Sequence, residues 1–267
     1  MKAELKRLKK EQVFHDRLAS TIQIEAIDVD VAFEGSTAPE NRFILSRLGD
    51  VKGKYLLDLG CGAGENSVYF TRKGARCVAG DCSVGMVEVA KSLAQKYNVE
   101  IIARILNVVD IDYPDETFDI VYAANLLHHV DINRSLSEIR RVLKPGGIAC
   151  MWDPLKHNPI INIYRKLATE VRTPYESPLN INIVKTFNRL FSNVEYDTFW
   201  FATLWIFLRF YLIERINPNS EPYWKKILYE EERLRAAYLR LEKLDRIIKR
   251  ISFIKRFGWN IAIVAKK

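Results

Sequence analysis

The strongest constraint in the chain is an alternation of two periodicities. Between residues 55 and 152, apolar runs of strand length take turns with amphipathic stretches of helical length. Residues 55–59, 76–79, 101–106, 118–123 and 148–152 read as strands, and residues 65–73, 83–97 and 132–143 as the intervening helices. The turn Lys144-Pro145-Gly146-Gly147 suits a tight bend ahead of the last of these strands. Strands alternating with helices at this interval predict a parallel sheet covered on both faces. In such sheets a ligand binds in the crevice at the carboxyl ends of the strands.

The run Leu56-Leu57-Asp58-Leu59-Gly60-Cys61-Gly62-Ala63-Gly64-Glu65 falls at that edge. Three glycines between a strand and a helix let the backbone turn tightly and let a ligand approach the main chain. Asp58 sits two residues before the first glycine, where a carboxylate is costly unless something positive or hydrogen-bonding meets it. Asp81 ends the second strand, the place at which a doubly wound fold offers an acid to the hydroxyls of a ribose. A dinucleotide loop of the Gly-x-Gly-x-x-Gly kind would need glycine where this chain has Glu65. Carboxylates at 58 and 65 would repel a pyrophosphate and suit a cation.

Outside this stretch the pattern is more helical. Residues 1–20 read as an amphipathic helix and 39–48 as a second, with Thr37 and Glu40 in capping-box register. After residue 153, residues 154–178 contain helix-like material, 180–191 a further helix and 194–199 a strand. Residues 223–254 read as a long amphipathic helix or pair, and 259–265 as a closing strand. A final strand that must rejoin the sheet makes the helical region before it an insertion over the strand ends.

Charge and cysteine usage narrow the function classes. The chain carries 41 Lys plus Arg against 33 Asp plus Glu, a formal +8, and residues 209–267 hold 15 of the former and 7 of the latter. A basic end of this sort keeps an RNA acceptor as an alternative, but the chain is not a uniformly basic nucleic-acid binder. Cys61, Cys77, Cys82 and Cys150 form no Cys-x-x-Cys pair, and His15, His128, His129 and His157 do not join them at zinc-finger spacing. The expectation is a reduced, cytoplasmic protein with no metal. The charged start shows no export signal. The apolar stretch Thr198 to Ile213, with Arg209 inside, is shorter than the ~20 residues that cross a bilayer. It is left as lid, core or peripheral lipid contact.

Four blocks in order, LDLGCGAGE, CVAGDCSVGMVEVA, DETFDIVYAANLLHHV and EIRRVLKPGGIACMWDP, resemble the class I S-adenosylmethionine-dependent methyltransferases. They are similar in particular to the type 11 branch that includes small-molecule and quinone-biosynthesis enzymes. The resemblance covers residues 50–155 and implies an α/β fold, a Rossmann-like doubly wound, mostly parallel seven-stranded sheet with the last strand antiparallel, plus helical cap insertions. It divides the chain into N-terminal helices over the cofactor site (1–49), the cofactor-binding core (50–153), and a substrate-side cap with the last two strands (154–267). S-adenosyl-L-methionine is the implied cofactor. Gly60, Gly62 and Gly64, with Cys61 between them, would line its methionine part, and Asp58 would hold its amino group. Asp81 would bind the ribose, Cys82 and Met86 would pack on the adenine, and Asn107 with Val108 would face the adenine amino group. Asn125 would lie beside the sulfonium.

The acceptor has to be read from the aromatic-rich walls, which favour a small apolar or aromatic molecule. His15, His157, Tyr164, Arg172 and Tyr175 are the candidate acceptor-binding residues. His128-His129 could supply a base, but packing and a helix start are sufficient causes for the pair, and no catalytic residue is assigned. RNA methylation through the basic C-terminal region is the alternative function, with a NAD-dependent oxidoreductase behind it. Oligomeric state is not readable.

Overall fold

The alternation resolves into one seven-stranded sheet. The computed structural model describes residues 2–173 and 176–267, with side chains described from Arg7 onward. Three helices, α1 (Lys2–Ala19), α2 (Val29–Glu34) and α3 (Pro39–Leu48), precede β1 (Tyr55–Leu59). Then come α4 (Glu65–Arg72), β2 (Arg76–Asp81), α5 (Val84–Lys96), β3 (Ile102–Ile105) and β4 (Phe118–Ala124). They are followed by α6 (Ile132–Val142), β5 (Leu143–Pro154), α7 (Pro159–Leu167), α8 (Ile183–Leu190) and β6 (Ser192–Phe199). The last part comprises α9 (Trp205–Leu212), α10 (Tyr223–Tyr229), α11 (Glu231–Ile248) and β7 (Asn260–Lys266).

The strand order is β3-β2-β1-β4-β5-β7-β6. Pairs on the β3 to β5 side are parallel, and β7 runs antiparallel to both β5 and β6. The order reverses between β1 and β4, so their carboxyl ends open the crevice. Central strands are apolar on both faces because helices cover both. Leu56 packs with Phe70 and Tyr122 on one side, and Leu57 with Val78 and Val121 on the other. The cluster holding Leu56 also takes in Phe33 and Ile44 from the N-terminal helices and Phe207 and Tyr238 from the C-terminal insertion. Chain segments before and after the sheet thus share its core.

Local capping follows side-chain chemistry at several helices. Ser83 accepts the Met86 amide at 3.0 Å ahead of α5, Asp131 the Arg134 amide at 3.1 Å ahead of α6, and Asn158 the Ile161 amide at 3.0 Å ahead of α7. The expected box at α3 does not form. Its N-cap is Ala38, the Thr37 hydroxyl turns to the Ile227 carbonyl at 3.5 Å, and Glu40 faces inward. Lys144–Gly147 is a bulge inside β5 rather than a turn before it, since the β4 partners step from Leu143 to Ile148. Of the long helix or pair expected over 223–254, the structure has the pair, α10 and α11, meeting at Glu230.

The apolar stretch from Thr198 divides between core and surface. Leu204, Ile206, Phe207 and Phe210 are buried, while Trp205, Leu212 and Ile213 are exposed. Its entry is held by the buried Asp245 of α11, which accepts from the amides of Phe201 at 3.1 Å and Ala202 at 2.5 Å and from the Thr203 hydroxyl at 2.6 Å. Among the described residues no helix is long and apolar enough to cross a membrane. Much of the C-terminal positive charge is paired locally. Arg233 meets Glu214 at 3.2 Å, and Lys249 and Lys255 both meet Asp197.

Glu40 links the first and last parts of the chain. Its Oε1 accepts from Trp200 Nε1 and from Asn260 Nδ2, each at 2.7 Å. Burial pushes its carboxyl from an ordinary 4.5 up to about 7. A carboxyl that stays protonated in the fold up to that pH, yet ionises lower in the unfolded chain, costs stability as pH rises through the interval. Between roughly pH 5 and 8 the native protein should therefore lose stability, on the order of 3 kcal/mol at most from this group. Glu40→Gln should flatten that loss in urea melts followed across the pH range. A variant with the same pH slope as the native chain would remove Glu40 as its source.

Candidate active site

The three glycines of the first loop do different work. All have positive φ: +71° at Gly60, +53° at Gly62 and +88° at Gly64. A Cβ on Gly60 would lie 2.8 Å from Leu126 Cδ1, and one on Gly64 would lie 2.7 Å from Ala90 Cβ and 2.9 Å from its Cα. Those two glycines let the loop press on the segment after β4 and on α5. A Cβ on Gly62 would meet nothing within 4 Å. Gly62 thus presents bare main chain to open space, as a ligand cradle requires.

Neighbouring strands fix the loop. Gly60 and Cys61 donate their amides to the Gly80 carbonyl at 2.7 and 3.0 Å. The Gly62 amide donates to Asp81 Oδ2 at 3.0 Å, and the Ser83 amide to Asp81 Oδ1 at 2.9 Å. Asp81 is buried, and that burial raises its carboxyl above the ordinary range against the pull of these donors and of His15. Each Asp81 oxygen accepts one backbone amide, and the Cys82 thiol also hydrogen-bonds to this carboxyl.

Asp58 is wholly buried beneath the loop. Its oxygens accept from Asn66 Nδ2 at 3.0 Å, the Ser67 amide at 3.0 Å and the Ser67 hydroxyl at 2.7 Å. Burial lifts its carboxyl to about 7. Asp58 therefore braces the first turn of α4.

The other expected cofactor residues ring the same edge. Cys61 is buried against Ala79 and Ala90, and its thiol is pushed well up by that burial. Cys82 is half-buried, with burial raising its thiol to about 12, and Met86 is buried in the first turn of α5. Beyond β3, Asn107 Oδ1 accepts the Val109 amide at 3.2 Å, and Val108 is buried. Asn125, exposed at φ +52°, follows β4 and donates its amide to the Trp152 carbonyl at 2.8 Å.

Helix α1 closes over the β2 end of the crevice. Gln12 Nε2 donates to the Cys82 carbonyl at 3.0 Å, and Asp16 Oδ1 accepts from the Ser83 hydroxyl at 2.5 Å and the Gly85 amide at 2.9 Å. This brings His15 toward the segment after β4, where its ring lies 5.8 Å from that of His129. Glu11 Oε2 stands 3.3 Å from His129 Nδ1 and 3.7 Å from His15 Nε2. On the other side, His128 Nδ1 lies 2.6 Å from Asp153 Oδ1 at the end of β5. Burial lowers the pKa of His128 and of His15, which keeps both rings neutral near pH 7.

The sequence pointed to the histidines but not to their partners. Glu11 and Asp153 carry no local signal, since only the fold brings them to His129 and His128. The other expected acceptor residues separate. Tyr164 is buried among Phe207 and Tyr223, and its hydroxyl accepts the Tyr223 amide at 3.3 Å, so it belongs to the core rather than to an acceptor wall. His157 is exposed, with Nε2 at 3.5 Å from Asn180 Nδ2 and apart from the other imidazoles. Arg172 pairs with Glu176 beside the imidazole group. Tyr175 lies outside the described residues. An open groove of about 500 Å³ runs along β6 and α11, lined by Arg47, Arg246, Lys249 and Arg250. It lies at the sheet's far edge, removed from the glycine loop.

The glycine geometry separates packing from ligand access. Gly64→Ala forces a side chain onto the Ala90 backbone at a left-handed φ and should cost about 2–4 kcal/mol. Gly62→Ala adds only the left-handed strain, about 1–2 kcal/mol. Denaturant melts should rank the two variants in that order, and equal stability would remove the packing role of Gly64.

Residues 57–151 match the family described as "Methyltransferase domain". A ubiquinone biosynthesis O-methyltransferase of Bradyrhizobium sp. (strain ORS 278) is 40% identical over 102 residues, covering 38% of this chain and 40% of that protein. A demethylmenaquinone methyltransferase of Thermobifida fusca is 36% identical over 114 residues, covering 40% of this chain and 48% of that one. The chain thus spans less than half the length of these curated relatives. The crystal structure of the YcgJ protein from Bacillus subtilis superposes with a TM-score of 0.55 at 18% identity, covering 87% of this chain and 97% of that one. With the glycine loop and the strand order, these matches show that residues 57–151 are similar to methyltransferase domains and share their Rossmann-like fold.

Proposed function

We propose that the protein transfers a methyl group from S-adenosylmethionine to a hydroxyl of a small apolar or aromatic acceptor. The observation that carries this is the meeting of two features at the β1/β4 switch point. One is the open Gly62 cradle locked to Asp81; the other is the His128 and His129 imidazoles, each with a carboxylate beside its Nδ1. The names of the two quinone-pathway relatives lend support.

The residues fit the cofactor. Gly62 leaves room along the main chain, and the Asp81 carboxylate at the end of β2 suits ribose hydroxyls. Met86 and Val108 offer apolar flanks for a base, and the Asn107 side chain keeps its amide donors for the base edge. The acidic setting made by Asp58, Asp81 and Glu65 favours a cationic ligand over a diphosphate. When bound, the cofactor supplies a methyl already activated by a positively charged sulfur.

The chain has three tasks. Glycine loop and Asp81 fix the donor's place, so that an acceptor atom arrives in line, a contribution worth several kcal/mol. Helix α1 covers the β2 end through Gln12 and Asp16 and limits water there. His128, its Nδ1 on Asp153, and His129, with Glu11 beside its Nδ1, are the groups that would polarise an acceptor hydroxyl.

Asp81→Ala removes the acceptor of the Gly62 and Ser83 amides as well as the ribose partner. It should weaken S-adenosylmethionine at least ten-fold, about 1.4 kcal/mol, in calorimetric titration. Because burial raises the Asp81 carboxyl above its ordinary range and that of Asp58 to about 7, affinity for the cationic cofactor should fall as pH drops below neutrality, sooner than ordinary carboxylates would cause. For an ordinary carboxylate that fall would come well below neutrality. The acceptor class is tested by methyl-labelled cofactor in cell extract, with mass spectrometry of the products. Label on a small phenolic or quinol product supports the proposal. Label confined to RNA, with binding that weakens steeply as salt rises, would replace it with the nucleic-acid alternative.

A further inference from the structure

The group of side chains beside the crevice has the composition and second-layer support of a metal centre. One ring nitrogen of His128, one of His129 and a carboxylate oxygen of Glu176 lie within 4.8 Å of one another. Each imidazole already has its Nδ1 side turned to an acid. His128 Nδ1 is 2.6 Å from Asp153 Oδ1, and His129 Nδ1 is 3.3 Å from Glu11 Oε2. At His128 that carboxylate fixes the tautomer and leaves Nε2 with its lone pair available, the arrangement that metal-binding histidines use. Glu11 Oε2 is buried with no hydrogen-bond partner, although its carboxyl sits in the midst of the cluster. A metal on His129 would strengthen the Nδ1–H donor facing that oxygen.

The set is assembled from four parts of the chain. His128 and His129 follow β4, Asp153 ends β5, Glu11 comes from α1, and Glu176 comes from the segment after α7. Thr173 ties that segment to the imidazoles, since its hydroxyl donates to Glu11 Oε1 at 3.1 Å and lies 3.4 Å from His129 Nδ1. Glu176 is held in turn by the Thr173 amide at 3.2 Å and by Arg172.

We propose that His128, His129 and Glu176 bind a divalent first-row transition metal of the zinc class. Two imidazoles and one carboxylate are a ligand set that such ions take, and three protein ligands leave a coordination position for another oxygen. That position would polarise an acceptor hydroxyl in the methyl-transfer reading, on which this role rests. Metal binding itself does not depend on turnover.

The test uses the full chain, stripped with a chelator and titrated with Zn²⁺ against a chromophoric competitor, and separately with Co²⁺ for its visible ligand-field bands. One equivalent should bind in each case, and Co²⁺ should give bands of a low-coordinate nitrogen and oxygen site. His129→Ala and Glu176→Gln should each weaken Zn²⁺ at least ten-fold, and Glu11→Gln about 10–100-fold, as loss of an outer partner does. His157→Ala should leave it unchanged. Calorimetric binding of S-adenosylhomocysteine reports separately whether each variant is folded. Absence of Co²⁺ bands in the native chain overturns the proposal, and so does Zn²⁺ affinity indifferent to both ligand substitutions in folded variants. Failure to find any methyl acceptor would touch only the role of the metal.

Discussion

A buried carboxylate organises the crevice. Asp81 ends β2 and takes the amide of Gly62 from the loop after β1 and that of Ser83 from the start of α5. Removing an acid from water costs several kcal/mol unless donors surround it. The loop supplies one of those donors, the Gly62 amide, in a conformation that leaves Gly62 open outward. The penalty for burying Asp81 thereby becomes a restraint on the main chain around it. Asp58 acts likewise one strand away, fastening the start of α4 under the same loop through Asn66 and Ser67. Both acids are buried at the strand ends, so the fold's most expensive groups hold the loop and the first turn of α4 in place.

The two ends of the chain complete what the sheet begins. Helix α1 reaches α5 through Asp16 and lies so close that a Cβ on Gly85 would come within 2.9 Å of Ala19 Cβ. At the opposite end, β7 inserts between β5 and β6, and Asn260 at its start donates to Glu40 of α3. Trp200, at the head of the insertion, donates to the same carboxyl oxygen. One buried acid therefore couples an N-terminal helix, the insertion and the last strand, and its ionisation is opposed by that burial.

What the sequence revealed depends on how far apart the interacting residues lie. Strand and helix order could be read because apolar periodicity is local, and the glycine run marks a strand-to-helix turn by itself. The Thr37–Glu40 pattern misled because a local propensity lost to a distant demand. Glu40 is taken inward by Trp200 and Asn260, neither of which the capping rule considers. Tyr164 misled in a related way. An aromatic residue near a crevice and one in a core look alike in sequence, and only Phe207 and Tyr223 decide between them. His128-His129 was visible as a pair, but its chemistry depends on Asp153 and Glu11, which the strand order and the placement of α1 bring in.

The division between shared and particular follows from the same geometry. The match to methyltransferase domains spans residues 57–151, which contain the glycine loop, Asp81 and the two adjacent histidines. Every acid that turns those histidines into a defined site lies outside it: Glu11 before, Asp153 and Glu176 after. A domain can thus keep its donor-side floor while the acceptor side is set by segments packed onto it, because floor and walls are stabilised by separate contacts. Gly62 depends on Asp81 within the matched region. The orientation of His129 depends on Glu11 and Thr173, both outside it. Change in the flanking segments can therefore alter the surroundings of the histidines without disturbing the glycine loop. Similarity confined to the middle of the chain carries the cofactor's chemistry further than the acceptor's.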